Sequence, residues 1–289
     1  MSFQPAFFGE ASAFQPAQSP LLLGGQVEPN VMLLMDDSGS MAWGYMPDRL
    51  KNLNYSINRT NCTFENNTGD DYFYNCPEAN KRYLFSSSYN TLYYDDSQTY
   101  ELPPGEADVT FSAARLDGFN SSSPTINLGT QYRVAFHRDA YTNGRKDFFY
   151  VGTGQAAYYR NRLAVCADPT SDLCYGSKVT ITAAKQQNFA RWFSFYRTRM
   201  LAAKSGVSIA FFPQSGAIRV GWGSINKSST SVDGSNTQTI TAGVRSFTGT
   251  SRQSFYNWIR ALQPDGGTPL RRALDDAGQY YSRTGDQGP

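Results

Sequence analysis

Asp36, Ser38 and Ser40 alternate along the stretch Asp36-Asp37-Ser38-Gly39-Ser40-Met41. This spacing puts one carboxylate and two hydroxyls on a tight turn, with Gly39 letting the backbone fold back on itself. Hard cations take oxygen ligands, and Mg²⁺ keeps several waters while using only one or two carboxylates. The pattern therefore suits a divalent cation, Mg²⁺ first and Mn²⁺ or Ca²⁺ as alternatives, with a coordination position left for an outside carboxylate. A local reading competes with it, because Ser and Asp after a strand are common caps and turn formers. A serine hydrolase is a third reading. It is disfavoured because neither serine lies in Gly-x-Ser-x-Gly, a serine nucleophile needs a base within reach, and the sole histidine, His137, is distant in sequence. We expect no enzyme.

Five apolar residues, Val31-Met32-Leu33-Leu34-Met35, deliver this turn. They read as a strand buried on both faces in the centre of a parallel sheet. In open α/β sheets, ligand sites lie at the carboxyl ends of such strands. The second candidate is Thr268, in Gly266-Gly267-Thr268-Pro269, where Thr as N-cap and Pro at the first helical position also form a preferred helix start. One hydroxyl can cap and ligate.

Between these two stretches the chain changes character. Residues 1–24 are rich in Gln, Pro, Ala and Phe and read as an extended lead-in. Residues 42–177 are dense in Asn, Tyr, Ser, Thr and Gly and hold all four cysteines, a β-rich insertion. Its stretch 52–67 carries Asn-x-Ser/Thr sequons at Asn54, Asn58, Asn61 and Asn66 and reads as a turn-rich loop. Strand-like runs follow at 82–85, 132–136 and 147–151, with Asn143-Gly144 as a hairpin turn between the last two. The helical period returns near Val179. Phe189, Trp192, Phe193, Tyr196 and Met200 form a core-facing stripe, and Lys204-Ser205-Gly206 ends that helix. Strands are expected at 207–212 and 218–222, with a turn at Asp233-Gly234. Two further helices bury Phe255, Trp258, Ile259 and Leu262 on one, and Leu270, Ala273, Leu274 and Ala277 on the other. Residues 25–41 and 178–289 would then make the α/β domain that 42–177 interrupts.

Composition narrows the function class. A net charge of +2 on 289 residues points neither to nucleic acid nor to an anionic membrane. No segment is long and apolar enough to span a membrane. Neither is a secretory signal visible at the start, so export would require one removed from this chain. Aromatics at 15% fit sheet filler or a protein-recognition surface. Cys62, Cys76, Cys166 and Cys174 form two sequence-local pairs, which suggests an oxidising compartment. Of three connectivities we expect Cys62–Cys76 with Cys166–Cys174; without a Cys-x-x-Cys spacing, zinc is disfavoured.

The apolar strand followed by Asp-Asp-Ser-Gly-Ser-Met resembles the first motif of the metal-ion-dependent adhesion site of von Willebrand factor A (vWA) domains, and Gly266-Gly267-Thr268 resembles the second. That resemblance implies an α/β, Rossmann-type central parallel sheet, with Asp36, Ser38, Ser40 and Thr268 as ligands. The third motif, an Asp after a further core strand, has no counterpart; Asp286 lies in a polar tail and is not assigned. We therefore expect a truncated sheet and an incomplete site in a fragment of a longer protein.

A narrower resemblance rests on several ordered strings: 18–21, 28–31 running into the Asp-Asp-Ser-Gly-Ser-Met turn, Tyr93-Tyr94-Asp95 with Tyr100 and Pro103-Pro104, 188–199, Val220-Gly221-Trp222-Gly223, and 266–271. Together they resemble the PilY/PilC family of type IV pilus tip proteins. The resemblance implies a non-enzymatic adhesin and assembly factor, exported through the periplasm to the cell surface and outer membrane. It would work with minor pilins in pilus biogenesis, twitching motility, surface sensing and attachment to host-cell ligands. The family's C-terminal β-propeller and its calcium loop lie outside this chain. The alternative is a structural scaffold that docks minor pilins with no metal.

Overall fold

The computed structural model describes residues 28–46, 63–68, 71–76, 82–140, 146–162, 166, 168, 171–214 and 216–284; of 63–76 and 135–153, where described, only the backbone is considered. The fold is mixed α/β. Strand β1 (Asn30–Met35) leads into a 3-10 turn (Gly39–Ala42). There follow β2 (Thr63–Thr68), β3 (Asp71–Cys76), β4 (Ala114–Arg115), β5 (Thr125–Ile126), β6 (Tyr132–Ala140), β7 (Lys146–Gly154), β8 (Ala157–Tyr158) and β9 (Val179–Thr180). Helices α1 (Gln186–Phe195) and α2 (Arg199–Phe211) come next, then β10 (Arg219–Ser224), β11 (Thr230–Val232), β12 (Ser235–Thr237), β13 (Ile240–Ser246), α3 (Gly249–Ala261) and α4 (Leu270–Tyr281).

The sheet that carries the candidate site has the order β1-β10-β13. β1 pairs parallel with β10, from Asn30 opposite Arg219 to Met35 opposite Ser224, whereas β13 pairs antiparallel with β10. The expected parallel pairing is present between β1 and β10, but the described sheet is mixed because β13 runs antiparallel. Among the described residues β1 is an edge strand of this sheet, and its apolar side chains are mostly half-buried, with only Met35 fully buried. Helices α2 and α3 cover one face, where Leu33, Trp222, Phe247, Phe255 and Ile259 pack together. Helix α4 covers the other, where Met32 meets Ile240, Val244 and Tyr280. A Cβ at Gly223 would run into the Thr239 carbonyl, so the close approach of β10 and β13 at their bulge requires glycine there.

Residues 207–212 are not a strand. They continue α2, and Lys204-Ser205-Gly206 lies inside that helix. A short apolar run cannot be told from a buried helix segment by periodicity alone. Here Thr198, whose hydroxyl accepts the Leu201 amide at 3.3 Å, starts a new helix. Val207 and Phe211, one turn apart, then reach the Phe255 cluster while Leu201 faces the other way. Residues 82–85 are a 3-10 turn rather than a strand. The Asn-rich stretch ends in β2, not in loop, and β13 carries no marked expectation in the sequence. The strands expected near 132–136 and 147–151 are present as the antiparallel pair β6–β7; Asn143-Gly144 lies outside the described residues.

Strands β4, β5, β6, β8 and β9 and helix α1 contribute to one aromatic cluster that includes Trp43, Tyr45, Tyr93, Tyr94, Tyr132, Phe189, Trp192 and Phe193. Trp192 donates its indole N–H to the Leu92 carbonyl at 3.1 Å, and the Tyr93 hydroxyl meets that of Tyr132 at 2.6 Å. Buried Asn90 donates to the Gly44 and Leu84 carbonyls and accepts from the Met46 and Leu92 amides, so its amide is fully used. Cys166 and Cys174 form a disulfide with Cα atoms 5.9 Å apart, as expected; the Cys62–Cys76 pairing lies outside the described residues.

Candidate functional site

Parallel pairing carries β1 and β10 to a common end. There the Ile225 amide still donates to the Met35 carbonyl at 3.1 Å, and both strands stop. β1 stops at Asp36 because that carboxylate accepts the Ser38 amide at 2.8 Å and turns the chain. The turn then brings the Ser38 and Ser40 hydroxyls to 3.2 Å from each other. Ser38 is 1% exposed, while Asp36 and Ser40 are half-buried. No imidazole or carboxylate bonds to either hydroxyl among the described residues. His137 lies in β6, its side chain outside those considered.

The loop between α3 and α4 meets this turn through two backbone bonds. Gly39 donates to the Gly266 carbonyl at 3.0 Å, and Asp265 donates to the Asp37 carbonyl at 2.7 Å. Thr268 is therefore carried on a loop tied to the Asp36–Ser40 turn, and it is exposed. It is not the N-cap of α4: Pro269 occupies that position, and no side chain caps the helix. Thr268 Oγ1 has no hydrogen bond among the described residues, and neither does the second carboxylate oxygen of Asp36.

The two adjacent aspartates point to different jobs. Asp37, 8% exposed, accepts the Asn226 amide at 2.9 Å and its Nδ2 at 3.3 Å. Asp36 keeps one oxygen unengaged. Asn226 Nδ2 also donates to the Gly267 carbonyl at 2.5 Å. Sequence reasoning passed over Asp37 and Asn226. Asn226 lies two residues past the end of the buried strand β10, as Asp37 lies two past the end of β1. Beside it, Lys227 has its ammonium pKa pushed down by partial burial.

The donor set fits a hard cation: one carboxylate oxygen and three hydroxyls, all neutral apart from Asp36, with unengaged oxygen at Asp36 and Thr268. Among the described residues no three His, Cys, Asp or Glu side chains gather as a metal site. Among those residues, too, no helix is long and apolar enough to cross a membrane.

No family model matches the chain, and no solved structure does. Curated proteins do. The chain is 33% identical over 293 residues to the type IV pilus biogenesis factor PilY1 of Pseudomonas aeruginosa strain PAK, covering 96% of this chain and 23% of that protein. The PilY1 proteins of strains PAO1 and UCBPP-PA14 are each 31% identical, over 96% and 95% of the chain. The chain thus spans less than a quarter of the length of these relatives. Over nearly all of its own length, this chain is a homologue of part of the type IV pilus biogenesis factor PilY1.

Proposed function

We propose that the chain is a vWA-like, non-enzymatic module of a type IV pilus tip adhesin and assembly factor. Residues 25–41 and 178–289 form the vWA-like unit, and 42–177 form its insertion. Asp36, Ser38, Ser40 and Thr268 hold a divalent cation, Mg²⁺ first. The observation that carries this reading is the docking of the Gly266–Thr268 loop against the Asp36–Ser40 turn through Gly39 and Asp265. A bound cation would supply positive charge at the sheet's end for a carboxylate of a protein partner. Minor pilins and host-surface ligands are the partners this reading names. The module would serve pilus biogenesis, twitching motility, surface sensing and attachment, outside the cytoplasm at the cell surface.

Calorimetric titration of Mg²⁺, Mn²⁺ and Ca²⁺ into chelator-treated protein tests the cation. Saturable binding that Asp36→Ala abolishes without lowering the melting temperature is the expected result. Binding that survives in that variant removes Asp36 from the site.

A second reading, a scaffold that docks minor pilins without metal, is favoured by one bond. Asp36 already spends an oxygen on the Ser38 amide, as a turn former does. On that reading EDTA leaves both stability and capture of purified minor pilins unchanged. A loss of either on chelation rejects it.

A further inference from the structure

We infer that Asn226 is a positioning residue, which through Asp37 and the Gly267 carbonyl sets the spacing between the Asp36–Ser40 turn and the Thr268 loop. Its consequence for cation affinity rests on the cation reading above; the strap itself rests on geometry alone.

Three segments remote in sequence converge here: the end of β1, the end of β10 and the loop before α4. Two backbone bonds join the first and third, at Gly39 and Asp265. Asn226 is the side chain that reaches both. Its Nδ2 bridges the Asp37 carboxylate and the Gly267 carbonyl, one residue before Thr268. Its backbone amide is fixed independently, by donation to Asp37 Oδ1 at 2.9 Å. The side chain therefore starts from a pinned Cα and spans a short, defined gap. The fit is close on the far side as well. Gly266 has φ of +79°, and a Cβ there would stand 2.9 Å from Asn226 Oδ1. The loop can lie this near Asn226 only because position 266 has no side chain.

Thr268 itself is exposed and without a side-chain bond, so nothing in its own contacts fixes where its hydroxyl stands. Its position is inherited from Gly266 and Gly267. Groups that orient ligands from behind in this way typically change metal affinity by about 10–100-fold when removed. Asp37 is the other half of the device. It is buried and fixes Asn226 by two bonds, while the neighbouring Asp36 carboxylate bonds only within its own turn.

Asn226→Ala tests the strap with little collateral damage, because Asp37 keeps the 226 backbone amide as a partner. Asn226→Asp is the second variant. It keeps the size but loses the donor and faces two acceptors, Asp37 and the Gly267 carbonyl. Hydrogen exchange of the Gly39 and Asp265 amides is followed in metal-free, EDTA-treated protein, and Mn²⁺ affinity by calorimetry on the same samples. The expected result is faster exchange at both amides in both variants, with Mn²⁺ binding weakened about 10-fold. Unchanged exchange overturns the strap whatever the cation does. Faster exchange in a protein whose wild type binds no Mn²⁺ upholds the strap and rejects the cation reading. Faster exchange with undiminished Mn²⁺ affinity overturns the claim that the strap positions Thr268 for an ion.

Discussion

The aromatic region and the sheet region solve the problem of burial in opposite ways. In the first, residues from Trp43 to Leu201 share one continuous cluster, knitted by ring contacts such as Tyr93–Trp192 at 4.8 Å and by buried Asn90. In the second, among the described residues, apolar contacts divide into three small clusters on two faces of a three-stranded sheet, and β1 is an edge. The candidate site belongs to the second region and is held by hydrogen bonds between loops rather than by packing. The main packed core and the candidate site are therefore separated in this chain. The large core anchors, and the thinly packed sheet end presents oxygen atoms.

The two regions are not independent. The Asp36–Ser40 turn runs straight into Trp43 and Tyr45, which stack at 5.2 Å beneath the Arg199 guanidinium. Arg199 opens α2, and α2 touches both cores. Farther along α2, Lys204 is 1% exposed; it donates to the Arg260 carbonyl at 3.0 Å and lies 3.8 Å from Asp117. Burial pushes its ammonium pKa down, and Asp117 and Glu106 oppose that shift. Burial likewise pushes the Glu106 carboxyl up, against its bond to Arg260. The junction is thus ionic and partly dry.

Four measurements test this contrast. Trp192→Ala should cost about 3–5 kcal/mol in denaturant unfolding, because it opens the continuous core and leaves the Leu92 carbonyl without its donor. A cost below about 1 kcal/mol would show that the aromatic cluster is not the anchor. Asp37→Ala should cost about 1–3 kcal/mol by leaving the Asn226 amide unsatisfied, whereas Asp36→Ala, which loses one bond inside its own turn, should cost less. Equal losses in the two variants would erase the division between them.

The third measurement concerns acid. Asp233 sits at the β11–β12 turn with φ of +49°, and its carboxyl pKa is lowered chiefly by its hydrogen bond to Arg245, with Tyr280 and Arg283 adding to the effect. A depressed folded-state pKa means a contribution present above the ordinary value of 3.8 and lost as pH falls through the lower folded value. Asp233→Asn, which keeps the left-handed turn, should flatten the fall of stability in that acid window. An unchanged acid profile would remove the pair from the sheet region's account. The smallest effect is expected at Leu274, which is 74% exposed on α4. Leu274→Ser should shift stability by no more than about 0.5 kcal/mol, and a larger loss in thermal unfolding would mean that this face is covered in solution.

Much of the architecture was legible. The β1 run, the helix at Phe255–Leu262, the Pro264–Gly267 break, and the Cys166–Cys174 pair all read directly from residue spacing. So did the polar turn at Asp233-Gly234, though not the hairpin around it. The failures have physical causes. The 207–212 run is short and apolar but for Ser208, so it shows no helical stripe, although in the structure Val207 and Phe211 pack into the Phe255 cluster while Ala210 and Phe212 are exposed. Leu270 and Leu274 matched a helical face on paper, yet α4 packs through Ala273, Ala277 and Tyr280, leaving them 59% and 74% exposed. Tyr280 wins because its hydroxyl also accepts the Val244 amide and donates to Asp233.

The sequence by itself determined the local chemistry: a strand that ends in Asp-Asp-Ser-Gly-Ser, a glycine loop that carries Thr268, and aromatic residues enough for a core. Those are properties of neighbours along the chain, where backbone sterics and side-chain type decide. Only the tertiary structure decided which of two adjacent aspartates is spent on the fold. It also decided that Asn226 stands between the two loops, and that α2 is a helix. Each depends on contacts between segments distant in sequence, and the register of β1 on β10 is what brings them together.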